Sequence, residues 1–349
     1  MVEASIVTCT FRPGLDIALA GMRDQTFKDF EYIVVDHRYE RRHDEVMALA
    51  RSYGVKLIHV PEHRRNGKWS VLSSAFATGF ALARGRVVIM LVDWTYAPPG
   101  WLEAHLQHHQ GTPKLVYGPY TYYRSVPELK LLQPFDFSTQ SSRADARCID
   151  EDAVLRGEIL PEVCPFKDGP FDPAWLPGLA KEIEPHQDTR VRGPGPGVHY
   201  TWTHLKNESL LRSELYRLNG TDVWSERGGR MSTDTEFGLR AEVSGQALWW
   251  EPAAHAHCVN PRGTVCRVLP FGVDAERYDG RWNLADCKEY FARREREIRA
   301  GDIRAKSPVT LEEMEKRLAP WRELPRIDTS QLDQPDQVYF GGEIWPNSP

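Results

Sequence analysis

The chain has no cysteine pair in C-x-x-C spacing, no apolar run long enough to cross a bilayer, no internal repeat and no large excess of one charge. Each absence narrows the reading. Its six cysteines, Cys9, Cys148, Cys164, Cys258, Cys266 and Cys287, are irregularly spaced along 349 residues. Irregular, unpaired cysteines are expected as reduced thiols of a cytoplasmic protein. No apolar stretch approaches the ~18 residues of a membrane span. The N-terminus enters a strand without a basic-then-apolar leader. A soluble protein with no integral membrane contact is therefore expected. The net charge of −5 argues against binding a polyanion by bulk charge and leaves only local basic patches.

What is present is ordinary globular composition, 41% hydrophobic and 27% charged, in a length that suits two modest domains or one with large insertions. Residues 4 to 93 alternate strand-like and helix-like runs. Apolar strands are expected at 5–11, 32–35, 55–60 and 87–92. Helices are expected at about 15–22, 44–53 and 70–83, the second closed by Gly54. Short strands separated by helices imply right-handed βαβ units and a parallel sheet. Two of these strands run straight into an aspartate, Asp36 and Asp93. Ligands of open α/β sheets bind beyond the carboxyl ends of the strands. Two carboxylates there suit a nucleotide's base or ribose at one and a metal-bound diphosphate at the other.

After Pro98-Pro99-Gly100 a helix at 101–110 and a strand at 115–122 are expected. From 126 to 199 prolines break the pattern, ending in Arg192-Gly193-Pro194-Gly195-Pro196-Gly197, which reads as a long irregular insertion. Order returns with a strand at 198–203, helices at 208–218 and 233–243, a strand at 247–251, and amphipathic helices at 284–300 and 310–318 before a tail.

The segment Gln25-Thr26-Phe27-Lys28-Asp29-Phe30-Glu31-Tyr32-Ile33-Val34-Val35-Asp36 resembles the start of family 2 glycosyltransferases of the GT-A fold. So do Asn66-Gly67-Lys68, Ala83-Arg84-Gly85 and Leu91-Val92-Asp93 with Pro99 and Leu102 beyond it. Later, the stretch from Thr233 to Arg240, then Gly245, Pro252 and His255 or His257, resembles the family's acidic helix start and the "G…P…H" that follows. The similarity covers 4–122 and about 198–260. Two departures stand out. Asp36 is followed by His37 rather than a second aspartate, and Asp93-Trp94-Thr95 lacks the second acid of the metal motif.

The resemblance implies a GT-A, Rossmann-like mixed and mostly parallel α/β sheet flanked by helices. Its parts would be a nucleotide-sugar half (1–125), a Pro/Gly-rich insertion (126–197), an acceptor and catalytic half (198–262) and a C-terminal helical extension and tail (263–349). It implies donor contacts from Thr8, Arg12, Asp36, Asp93 and Trp94. Mn²⁺ or Mg²⁺ would sit on Asp93 with His255 or His257 as a further ligand. A metal-free route, in which Arg64, Arg65 and Lys68 neutralise the diphosphate, is equally open. Asp234 would be the general base of an inverting transfer. The stretch Thr233-Asp234-Thr235-Glu236 also has the form of a helix capping box, and a helix N-terminus would keep Asp234 ionised. Trp202 and Glu236 are the acceptor-side candidates; Trp224, Trp249 and Trp250 fall in the same half.

The expected activity is glycosyl transfer from a nucleotide-diphosphate sugar, with a UDP-sugar favoured, to a hydroxyl acceptor. A glycan or small molecule is the favoured acceptor. Basic groups at Arg38/Arg41/Arg42, Arg143/Arg147 and Arg190/Arg192 keep nucleic acid, such as DNA with a hydroxylated base, open. The alternatives are a non-catalytic nucleotide- or glycan-binding module with a degenerate metal motif and, ranked lower, a nucleotidyltransferase.

Overall fold

A computed structural model describes residues 2–10, 15–36, 39–63, 72–124, 172–178, 180–182, 193–221, 233–258, 284–307 and 309–332. The first hundred residues follow the expected alternation. Strands β1 (Ala4–Thr10), β2 (Phe30–Asp36), β3 (Ile58–Val60) and β4 (Val87–Leu91) are separated by helices α1 (Leu15–Asp24), α2 (Tyr39–Ser52) and α3 (Leu72–Leu82). The strands pair in parallel in the order β3-β2-β1-β4. They are apolar on both faces because both faces are covered. Ile6, Val34 and Ile89 pack with the α1 side, while Val7, Val35, Val88 and Met90 pack with Phe76 and Phe80 of α3.

Beyond β4 the sheet becomes mixed. The chain continues through β5 (Thr95–Tyr96), α4 (Trp101–Leu106), β6 (Lys114–Tyr117), β7 (Tyr120–Arg124), β8 (Ala180–Glu182), β9 (Gly195–Pro196) and β10 (Asn207–Leu211). It then forms α5 (Arg212–Arg217), α6 (Thr233–Val243), β11 (Ala247–Trp250) and β12 (Ala256–Cys258). β10 lies antiparallel between β4 and β6, and β11 runs parallel to β6. β5, β12, β7 and β8 make a second, smaller sheet.

Three expectations are corrected here. The helix expected at 208–218 is a central strand followed by the short α5. Its polar face is satisfied by α4: Asn207 Oδ1 accepts from Trp101 Nε1 at 2.8 Å, and Ser209 Oγ meets His105 Nδ1 at 2.9 Å and His109 Nε2 at 2.7 Å. Those tertiary partners override the local preference. Burial holds both imidazoles neutral, pushing His105 down to about 4 and His109 to about 3. The strand expected at 115–122 splits at Gly118. A Cβ there would lie 2.2 Å from Ala254 O and 2.4 Å from Asn207 Nδ2, so only glycine lets the chain pass from one sheet to the other. The strand expected at 198–203 is instead a 3-10 turn, Tyr200–Trp202, and the short strand β9 lies before it.

The C-terminal extension packs back on the first half. In α7 (Leu284–Arg299), Arg294 reaches α6, where Glu236 and Arg240 are also buried. Helix α8 (Leu311–Leu318) starts at a Thr310–Glu313 capping box and buries Leu311, Met314 and Leu318 in the core layer that holds α3. Beyond it, Arg322 bonds Leu82 O and Glu31, and Ile327 N donates to Tyr39 Oη at 2.8 Å.

Arg294 donates to Glu236 and to the carbonyls of Asp302 and Arg304. Arg294→Ala is expected to cost about 3 kcal/mol or more in urea denaturation, because it strips a partner from a buried charge. Arg326→Ala, which removes an exposed pair with Asp44 and an exposed bond to Glu40 O, is expected to leave the midpoint nearly unchanged.

Candidate active site

The carboxyl ends of three neighbouring strands carry Thr10, Asp36 and Asp93. Thr10 and Asp36 are register partners on β1 and β2, and Thr10 Oγ1 donates to Asp93 Oδ2 at 2.9 Å. The middle strand thus ties the two strand-end acids together. Asp36 is fully buried. Arg42 Nη1 lies 3.1 Å from its Oδ2, and His59 Nε2 lies 3.3 Å from the same atom. His43 stacks on His59, their Nδ1 atoms 3.0 Å apart, and burial together with His59 holds His43 below the ordinary histidine range. Arg42 therefore belongs to α2 and to Asp36, not to a solvated basic loop. Thr8 is buried one pleat earlier with its hydroxyl beside Tyr32, whose phenol burial pushes upward. The strand-end hydroxyl in contact with an acid is that of Thr10. Alternation along β1 was the signal for it, since Thr8 and Thr10 share a face.

Asp93 is also buried, and the residue after it has a left-handed backbone, with φ 57° at Trp94. Non-glycine residues rarely hold that conformation except where function or packing over-determines it. The turn sends the Trp94 indole into the core beside Trp101 and Leu102 rather than into an open pocket. Thr95 Oγ1 turns back to Asp93 O at 3.4 Å. β12 pairs with β5 and sets His257 opposite Tyr96, with the His255 and His257 rings 4.7 Å apart on one face. His255 Nε2 lies 2.9 Å from Thr121 Oγ1, and burial keeps its imidazole neutral. Among the described residues no group of three or more His, Cys, Asp or Glu side chains could hold a metal ion. Asp93 alone is a thin anchor for a divalent cation, and these residues do not make a metal cage.

On the acceptor side, Asp234 occupies the first turn of α6, 18% exposed at its side chain, with its Oδ1 accepting from Thr235 N at 2.9 Å. Burial pushes its carboxyl up to about 6, so the helix N-terminus does not hold it in the ordinary range as expected. His204 Nδ1 stands 3.9 Å from Asp234 Oδ2. Two residues further on, Lys206 O accepts from Val92 N at 3.2 Å, next to Asp93. One short loop thus touches both the strand end that carries Asp93 and the helix that carries Asp234. Glu208, at the start of β10, is buried, and burial raises it to about 8.

Glu236 is not available to an acceptor. It is fully buried, with Arg240 Nε 2.8 Å from both carboxylate oxygens, so it fixes the helix instead of closing a capping box. Trp202 is half-buried and meets Trp250 edge-on at 6.0 Å. Arg12, Arg64, Arg65, Lys68, Arg38, Arg143, Arg147, Arg190, Arg192 and Trp224 lie outside the described residues. Sequence reasoning missed Thr10, His59, His204, Lys206 and Glu208. The last three fell in a stretch expected to be strand end and helix start.

A mixed sheet flanked by helices, with Asp36 and Asp93 at the carboxyl ends of the two parallel strands on either side of β1, fits the GT-A fold and places both acids where ligands of open α/β sheets bind. Residues 5–154 match the family model described as Glycosyl transferase family 2. Asp234 lies beyond the matched segment. Among solved structures, the chain is similar to a mannosyltransferase from Pyrobaculum calidifontis, described in complex with GDP-Man and Mn²⁺. That likeness has 16% identity over 91% of this chain and 74% of that one, with a TM-score of 0.43. A mycobacterial protein is similar at 12% identity over 74% of this chain and 68% of that one, TM-score 0.37. No curated protein matches the chain.

The raised carboxyls set a pH dependence. A folded value above the unfolded one contributes stability that is full below the unfolded value and is lost as pH rises through the folded one. For Glu208 that window runs from 4.5 to about 8, and for Asp234 from 3.8 to about 6. Urea midpoints are expected to fall as pH rises through this range. In Glu208→Gln the part of the fall above pH 6 should disappear.

Proposed function

We propose that the protein transfers a sugar from a nucleotide-diphosphate sugar to an acceptor hydroxyl with inversion, with Asp234 as general base. The observation that carries this reading is the loop bearing His204 and Lys206. It bonds the backbone beside Asp93 on one side and meets Asp234 on the other, so donor and base ends share one wall. In the transfer, Asp234 takes the acceptor hydroxyl's proton as that oxygen forms a bond to the anomeric carbon. The bond from that carbon to the diphosphate breaks on the opposite face, with no covalent enzyme intermediate. A carboxyl that burial lifts to about 6 is ionised at neutral pH and a stronger base than an exposed one.

Asp36, with Arg42 and His59 behind it, supports a nucleoside site at the end of β2, with a UDP-sugar as the favoured donor. Asp93 would face the diphosphate. If Mn²⁺ or Mg²⁺ takes part, Asp93 is its protein ligand, with His255 or His257 as a further donor on β12; otherwise Arg64, Arg65 and Lys68 supply the positive charge. The half up to about residue 125 serves the donor and 198–262 the acceptor. A glycan or small-molecule hydroxyl is the proposed acceptor.

Thermal stabilisation by UDP-, GDP-, CMP- and dTDP-sugars, each with Mn²⁺ and with EDTA, tests the donor reading. One nucleotide class at ~100 times its Kd is expected to add about 2.7 kcal/mol. Loss of the effect in EDTA assigns a metal to Asp93; an equal effect in EDTA assigns the diphosphate to basic side chains. No stabilisation by any nucleotide sugar overturns the reading. Asp234→Asn is expected to keep the stabilisation and lower sugar transfer or donor hydrolysis by about 10²–10⁴-fold.

A further inference from the structure

The segment 203–208 is held more tightly than an ordinary loop before a strand. Glu208 Oε1 accepts from His204 N at 2.8 Å and Oε2 accepts from Lys206 N at 3.1 Å, so one buried carboxyl spans the loop. Leu205, between them, has a left-handed backbone with φ 51° and a buried side chain. Such strain persists only where surrounding structure imposes it. At the loop's start, Thr203 Oγ1 donates to Tyr200 O and meets Tyr117 Oη at 2.8 Å. The turn rests on α6 at Gly238, where a Cβ would come within 2.0 Å of Thr203 Oγ1 and 2.6 Å of Tyr200 O. Gly238 is one helical turn after Asp234 and so shares its face. The missing side chain lets the loop approach the surface that presents the base.

We propose that this loop is a positioning device for Asp234: Glu208 pins it, and His204 and Lys206 present positive charge to the Asp234 carboxylate. The inference rests on the assignment of Asp234 as the base. Its physical logic is compensation. Taking a carboxylate partly out of water disfavours its charged form, and an opposite charge within about 4–6 Å restores it. Among the described residues, the charged and titratable groups facing Asp234 are His204 and Lys206 from the loop and Glu208 from β10. On α6 itself, Glu236 is paired with Arg240 and Arg294. A Glu208 kept neutral by burial pins the backbone without adding a second negative charge beside the base. Lys206 also stands near the Tyr120 ring, 5.9 Å from its centre, on the wall of a small cavity lined by Val92, Thr95 and Asn207. The same loop therefore faces the donor side of the site.

The test is a carbon-13 NMR titration of the full chain labelled at aspartate carboxyls, with Asp234 assigned by its loss in Asp234→Asn. Lys206→Met is expected to raise the Asp234 midpoint by about one pH unit, and His204→Gln to raise it by less. Reciprocity is required: the His204 imidazole midpoint should fall in Asp234→Asn. A purely structural loop would give neither shift. An Asp234 midpoint unchanged in both His204→Gln and Lys206→Met overturns the proposal. The readout needs no sugar transfer. Unshifted midpoints alongside Asp234-dependent transfer would overturn this pairing alone. Shifted midpoints with transfer unaffected by Asp234→Asn would overturn the assignment of the base and keep the pairing.

Discussion

The second half of the molecule hangs on one buried ion cluster. Glu236 of α6 sits between Arg240, on the same helix, and Arg294, on α7. The two guanidinium groups also donate to the carbonyls of Leu218, Gly220, Asp302 and Arg304. Burying one carboxylate and two guanidinium groups is costly unless every donor finds an acceptor. The carbonyls come from turns far apart in sequence, so satisfying the arginines assembles those turns. Helix α6 is thereby fixed in position, and with it Asp234, two residues before Glu236.

Three carboxyls within a short distance along the chain and sheet have three different environments. Glu236 is matched by arginines. Glu208 is buried with only backbone donors and is lifted to about 8. Asp234 lies at the boundary, partly exposed, beside His204 and Lys206, at about 6. The same side-chain chemistry is thus divided into an ion-pair anchor, a neutral pin and a titratable group near neutrality by burial and neighbours alone.

The donor side is built on a different plan. Its acids are set by strand register: Thr10, Asp36 and Asp93 end adjacent parallel strands, and Thr10 ties itself to Asp93. Asp36 is held from behind by α2 and β3. The C-terminal segment then closes over α2, where Ile327 meets Tyr39 and Arg326 meets Asp44. Residues near the end of the chain therefore brace the helix whose Arg42 bonds the first strand-end acid.

Much of the first half was legible in the sequence because its signals are local. An apolar run, a helix-length spacer and an aspartate after Val35 or Val92 are enough to order parallel strands and put acids at their ends. The helix that Asp234 opens was legible as well, and the resemblance to the family's acidic helix start pointed to Asp234 itself. The failures share a cause. The stretch from Asn207 to Leu211 has no strong local preference, and its strand is decided by Trp101, His105 and His109 a hundred residues away. Trp94 went to the core because a left-handed turn redirects it, and Glu236 was claimed by an arginine from a later helix. By itself the sequence determined the βαβ order, the strand-end acids and the acid at the start of α6, since each depends on neighbours in the chain. Only tertiary structure decided which acids are paired, neutral or titratable, and which loop faces Asp234. Those outcomes depend on desolvation and on partners from distant segments, which no local pattern encodes.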